Sequence, residues 1–188
     1  MALLDTGGAT RILTYEEWLA LPPVEDGTDE VVKGELRFMP PTRQPHAEIV
    51  RRLTRTFDRQ LDEKKAVVFG SNLGLMIRRE PLTCRSPNVI VCWLDGMVVE
   101  DGLHWSAPGL VVEVLSPSED RHRQEEKLAD YAAIGVPEVW LISPEAATVE
   151  VHLLKNGKLE RSAILAEGTL HPAEFPQVAV SVPALLPD

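Results

Sequence analysis

The sequence predicts a mixed α/β fold of the α+β kind, a central mixed β-sheet flanked by helices with extra β-hairpins. Three observations predict it. Gly109 to Ser118 reads G-L-V-V-E-V-L-S-P-S, a short apolar and β-branched run of the kind that forms a buried central strand. Ile49, Leu53, Phe57 and Leu61 recur every four residues and draw one apolar stripe along a helix. Asn156-Gly157 lies between two alternating segments and marks a tight hairpin.

Taken in order, Thr14 and Glu17 form a capping-box pattern that opens a helix over Tyr15 to Leu21, stopped by Pro22-Pro23. Glu30 to Val32 and Glu35 to Met39 are two short strands about Lys33-Gly34. The long helix runs from His46 to Lys65. Strands follow at 66–70, 73–78, 88–94 and 109–115, and the loop from Asp95 to Pro108 has the least pattern. Ser118 caps a further helix, with Glu119 and Asp120 in its first turn, where the helix dipole favours negative charge. Gly135 and Pro137 end it. Another strand covers Pro137 to Ser143, and the last hairpin pairs Thr148–Leu154 with Lys158–Leu165.

The 188 residues fit one domain, 1–188, with residues 1–10 flexible and 166–188 a surface-wrapping tail. A hydrophobic content of 44 % with 26 % charged residues is that of a folded, soluble chain. No apolar run can span a bilayer, and Met1 to Thr10 lacks a secretory pattern, so a cytoplasmic protein without membrane partners is expected. Cys84 and Cys92, eight apart along or beside one strand, read as reduced packing residues with no zinc spacing. A net charge of −10 excludes coating nucleic acid by bulk attraction, though not a local basic groove.

Glu113 is the residue that demands an explanation. A glutamate inside a buried strand needs a counter-charge or a cation. Asn88 begins the preceding strand, Glu35 follows Gly34 on an earlier one, and Lys127 and Tyr131 lie one turn apart on the helix after Glu113. Two carboxylates, an amide oxygen and an ammonium at one sheet end would suit Mg²⁺ or Mn²⁺, which take oxygen ligands. Arg51, Arg55 and Arg59 form a basic stripe, read first as a solvated face paired with Asp58 and Asp62, and second as phosphate contacts. Arg121 has the same two readings. His46 reads as a residue leading into its helix, and Trp93, Trp105 and Trp140 as core or interface.

The chain resembles the family named “putative restriction endonuclease” domain, a branch of the PD-(D/E)xK nuclease superfamily. The resemblance is carried by T-Y-E-E-W-L-A-L-P, K-G-E-L-R-F-M-P-P, S-P-N-V-I-V, A-P-G-L-V-V-E-V-L-S-P-S and E-K-L-A-D-Y-A-A-I-G-V-P-E-V-W-L-I-S-P. It implies a restriction-endonuclease-like core, a metal site at the strand ends and metal-assisted cleavage of DNA. Carried over by position, it makes Glu35, Asn88 and Glu113 metal ligands, and Glu113, Lys127 and Glu35 catalytic. Lys127, fourteen residues after Glu113, stands for the superfamily lysine, since Leu115 occupies the x-K position. Asn88 stands where the family has aspartate, so the site keeps two carboxylates instead of three. Asp95, roughly 20 Å along an extended strand, is too distant to replace it. Glu30 is a candidate whose direction across the turn the sequence leaves open.

Two other functions fit the same residues: an inactive nuclease-fold binding or assembly module, and a hydrolase of another phosphoester. Exposed tryptophan in the Asp95–Pro108 loop would suit a homodimer.

Overall fold

A computed structural model gives the fold and describes residues 12–22, 24, 27–39, 41, 44–71, 73–116 and 120–186. Helix α1 (Tyr15–Leu19) opens on the Thr14/Glu17 capping box. Strands β1 (Thr28–Val32) and β2 (Glu35–Met39) form a hairpin about Lys33 and Gly34, with φ of 55° and 81°. Then come α2 (Gln44–Gln60), β3 (Ala66–Phe69), β4 (Leu75–Arg78), β5 (Thr83–Arg85) and β6 (Val89–Trp93). A small hairpin of β7 (Val99–Glu100) and β8 (Leu103–His104) precedes β9 (Leu110–Val114), α3 (Arg121–Ala133) and β10 (Glu138–Ser143). Strands β11 (Thr148–Lys155) and β12 (Lys158–Leu165) make the last long hairpin. The ribbon of β13 (Thr169–Leu170) and β14 (Val180–Ser181) leads into α4 (Val182–Leu185).

The central sheet has six strands in the order β12-β11-β10-β9-β6-β3. It is mixed, because β9 and β10 run parallel while the other neighbours are antiparallel. The extra hairpins join through β5 and β4 into a second six-stranded sheet, β2-β1-β5-β4-β8-β7. Alternation along the central strands builds two cores. Val89, Val91, Leu110, Val112 and Trp140 face α2, meeting Ile49, Leu53 and Phe57. Ile90, Cys92, Val111, Val139 and Leu141 face the other way, toward Tyr131 of α3 and Leu75 of β4. A third cluster, including Tyr15, Val31 and Met76, lies within the second sheet under α1.

The segment after β12 does more than wrap the surface. Phe175, Val178, Val180 and Val182 are buried in the core that α2 covers. Gly109 permits this, because a Cβ there would stand 2.8 Å from the Phe175 ring. Buried Glu138 ties the segment down, accepting hydrogen bonds from Ala173 N at 2.7 Å and Trp140 Nε1 at 2.6 Å.

Several expectations need correction. Helix α2 ends at Gln60 rather than Lys65, since the chain turns at Asp62, whose Oδ1 accepts from Lys64 N. Ser118 and Glu119 lie outside the described residues, as do residues 1–10. The cap of α3 is Asp120, whose carboxylate accepts from Arg123 N. Cys84 and Cys92 are free and buried, but they belong to different sheets. Trp105 of the 95–108 loop is half-buried against Tyr15, not presented to solvent. Among the described residues, no helix is long and apolar enough to cross a membrane.

A buried guanidinium joins the second sheet to α3. Arg85 on β5, 1 % exposed, bonds Glu30 Oε2 on β1 at 3.1 Å and Asp130 Oδ2 on α3 at 2.7 and 2.9 Å. It also meets Glu126 Oε2 at 3.2 Å. Burial works against its charge, but Glu30 and Asp130 more than offset that and hold it protonated. Arg85→Ala would leave Glu30 buried without its cation and take the shared guanidinium from Asp130 and Glu126, leaving Asp130 with Arg78 and Glu126 with Arg37 and Lys33. The expected loss is about 3–5 kcal/mol in urea unfolding, and a loss under about 1 kcal/mol would contradict this account of the clamp.

Glu126 supplies a pH signature. Burial pushes its carboxyl up, but hydrogen bonds from Arg37 and Arg85 outweigh burial and lower it from 4.5 to about 2. A folded-state value below the unfolded one contributes stability above pH 4.5 that is lost as pH falls toward 2. Glu126→Gln should therefore flatten the acid limb of a melting-temperature profile over that window and leave its slope above pH 6 unchanged.

Candidate active site

Strand β9 places Glu113 on its α3 face, beside Val111, while Val112 and Val114 face α2. Helix α3 turns an unusual face toward it. Its buried residues are Lys127, Asp130 and Tyr131, two of them charged. Lys127 Nζ stands 3.2 Å from Glu113 Oε2, and the Tyr131 hydroxyl donates a short hydrogen bond to Oε1. Exposures of 1 %, 6 % and 0 % for Glu113, Lys127 and Tyr131 place all three away from bulk water. Burial, and then the Glu113 charge, push the Tyr131 hydroxyl well above its ordinary value, so it stays a donor.

Asn88 belongs to the same sheet end. The β6–β9 register pairs Val89 with Val112, and one further step sets Asn88 opposite Glu113. Asn88 lies just before β6, and its amide reaches the β9 backbone and α2 rather than α3. Asn88 Oδ1 accepts from Val114 N at 2.7 Å and meets His46 Nε2, from the first turn of α2, at 3.2 Å. His46, which the sequence presents as a mere helix-leading residue, therefore touches the site.

The hairpin resolves the direction of Glu30. Val32 pairs with Glu35 and Glu30 with Arg37, so all four side chains share one face. That face looks toward α3: Arg37 bonds Glu126 at 2.7 Å, and Glu30 reaches Asp130 through Arg85. Glu30 is the hairpin carboxylate whose charge acts on Tyr131. Glu35 is half-buried on the same face, and among the described residues its carboxylate makes no hydrogen bond or ion pair. The geometry thus joins Glu113 to Lys127 and Tyr131, sets Asn88 at the end of the neighbouring strand with His46, and puts Glu35 on a strand that faces the same helix as Glu113.

The basic residues lie elsewhere. Arg51, Arg55 and Arg59 are on the exposed side of α2, across the central sheet from α3. Arg51 pairs with Glu48 at 2.7 Å, not with Asp58 or Asp62. Arg121, at the start of α3, pairs with Glu125 at 3.1 Å in solvent.

Sequence reasoning missed Arg85, Glu126 and Asp130. The available signal was helical spacing: Glu126 and Asp130 each precede Lys127 and Tyr131 by one residue, so the four form one polar face. The donor set suits a hard cation in kind but is thin. Glu113 offers carboxylate oxygens, while both lone pairs of Asn88 Oδ1 are engaged. Among the described residues, no three carboxylate, imidazole or thiolate groups gather closely enough to hold a metal.

Comparison with known proteins gives the family and the fold. The Uma2 family model, described as “putative restriction endonuclease”, matches residues 15–183. A putative nuclease belonging to DUF820 from Anabaena variabilis has a similar solved structure, with a TM-score of 0.78. The alignment covers 92 % of this chain and 97 % of that one, at 19 % identity, which shows a shared fold. No curated protein matches the chain. The match over nearly the whole length shows that this chain belongs to the Uma2 family.

Proposed function

We propose that this chain is an endonuclease-like hydrolase of DNA phosphodiester bonds, with a divalent-cation site weakened by Asn88. The observation that carries the reading is the buried Glu113–Lys127 pair at 3.2 Å, beside Asn88 at the end of the central sheet. Family membership supports the reaction class. Glu113, with Glu35 and Asn88, would hold Mg²⁺ or Mn²⁺, and such an ion lowers the pKa of bound water and steadies charge on phosphate oxygens.

The residues of the chain have separate tasks. Tyr131 fixes one Glu113 oxygen and leaves the other facing Lys127. The Lys127 ammonium, buried and therefore weakly screened, would donate to a phosphate oxygen or to the attacking water. Glu35 would take a proton or complete the oxygen set. Arg121 stands at the start of the helix that carries Lys127, and Arg51, Arg55 and Arg59 extend from the helix that carries His46. Arg121 would meet the DNA backbone on the side of the site, and Arg51, Arg55 and Arg59 only where the DNA passes the sheet edge to the α2 side.

A second reading, a catalytically silent binding module, is favoured by the engaged Asn88 oxygen and the −10 net charge. Plasmid nicking and thermal shift in millimolar Mn²⁺ discriminate. We expect slow nicking by wild type, an upward shift in melting temperature, and loss of both in Glu113→Gln. Asn88→Asp should raise the nicking rate about ten- to hundred-fold. No shift and no nicking in either wild type or Asn88→Asp would overturn the nuclease reading. Retained binding of duplex DNA by that silent protein would establish the module instead.

A further inference from the structure

We propose that His104 is an acid-sensitive latch that holds the β7–β8 hairpin and, through it, α1 against the second sheet. His104 lies on β8 and is fully buried, at 0 % exposure. Its Nε2 stands 3.2 Å from Ser106 Oγ and 3.6 Å from Cys92 Sγ of β6. Ser106 Oγ already accepts from Val98 N at 3.1 Å, which leaves its hydroxyl proton to point at Nε2. The other ring nitrogen, Nδ1, is buried without a hydrogen-bond partner among the described residues. The packed strands bring Leu75 of β4, Val99 of β7 and Cys92 of β6 to it, and of these only the thiol can ionise. Burial pushes that thiol up to about 12, so it stays neutral too. The charged residues of the hairpin turn, Glu100 and Asp101, face Arg79 and Tyr15 instead.

Such a pocket suits a neutral imidazole and not a charged one. Protonation sets a hydrogen on both ring nitrogens, so Nε2 must donate where it accepted, and Nδ1 carries positive charge toward no acceptor. Among the described residues, no ionised side chain acts on the ring to offset that charge. Burial pushes the imidazole below its ordinary 6.5, and the Ser106 backbone pulls it up by less. A protonated His104 therefore favours leaving the pocket. The hairpin can move by itself, because β7 and β8 are two residues each. Its tie to β4 is the Leu75–His104 pair, with His104 N bonded to Gly74 O at 2.8 Å. What the hairpin holds goes with it. Asp101 accepts from the Tyr15 hydroxyl at 2.8 Å, and Arg79 lies over the rings of Tyr15 and Trp105 at 4.4 and 4.8 Å. The latch shares no residue with the Glu113 site, and it stands whether or not the chain cleaves DNA.

In the opened hairpin His104 titrates near 6.5, while the latched ring stays neutral to lower pH. The latch is therefore complete above that pH and weakens below it, and from pH 7 to pH 5 the open form should gain about twenty-fold. The test is amide hydrogen exchange of the full chain at those two pH values, corrected for the intrinsic pH dependence of exchange, with the His104 ring followed by NMR. We expect the amides of β7, β8 and α1 to lose about twenty-fold protection at pH 5, while those of β9 and β10 keep theirs. His104→Phe, which fills the pocket with an uncharged ring, should show no such loss. If that variant loses its fold, His104→Gln keeps a polar atom near Nε2 without a titrating group and carries the same expectation. The window spares Glu126, whose effect lies below pH 4.5. An equal loss in wild type and the folded variant overturns the latch. So does unchanged protection of the hairpin in wild type, a loss spread equally over β9 and β10, or a His104 ring that titrates at 6.5 in the folded protein.

Discussion

The arrangement depends on Arg85 and the three carboxylates around it. A guanidinium this deeply buried is costly to desolvate, and its planar fork repays that only when acceptors meet it in fixed directions. Glu30 meets it from β1 and Asp130 and Glu126 from α3, so the second sheet and the helix are held in one orientation. Glu126 and Asp130 each stand one residue before Lys127 and Tyr131 on α3. The clamp that grips the first pair therefore sets the rotation of the second. Lys127 and Tyr131 meet Glu113 because Arg85 leaves the helix no other face to turn inward.

This gives the second sheet a role. Without it, α3 would cover the central sheet with an ordinary amphipathic face, and the polar residues at 126, 127, 130 and 131 would turn to solvent. With it, that face is enclosed between two sheets, each supplying charge. Arg85 comes from β5 and Glu113 from β9, and α3 lies between them as a shared partner. The same burial that makes the Glu113–Lys127 attraction strong makes either charge alone expensive. The site is therefore electrostatically preorganised before any ligand arrives.

Much of this was legible in the sequence, and the limits have physical causes. Glu113 stood out because a carboxylate in an apolar strand violates the alternation around it, and Lys127 because its helix has clear ends. Hairpins at Lys33-Gly34 and Asn156-Gly157 were legible because left-handed residues have few alternatives. Asp101-Gly102, with φ of 53° and 76°, is the same signal and marks the β7–β8 hairpin, yet its strands are too short to show alternation. Arg85 was hidden because a three-residue strand carries no period, and its partners are 45 and 55 residues away. The position of His46 was hidden for a related reason. Its contact with Asn88 spans 42 residues and two elements, and nothing local in either segment announces it.

The chemistry of the site turns on how many oxygens remain to be shared. Family membership places the chain among endonuclease-like proteins. Its own residues hold a buried Glu113–Lys127 pair and, on the neighbouring strand end, an Asn88 amide whose oxygen is engaged twice. The most direct measurement is an anomalous difference map from crystals of wild type and Asn88→Asp soaked in Mn²⁺. The account predicts a peak about 2–2.5 Å from a Glu113 oxygen, strong in Asn88→Asp and weaker in wild type, with the Lys127 ammonium facing it. Crystals of both proteins without a peak at Glu113, or with Lys127 turned away from that carboxylate, would contradict it.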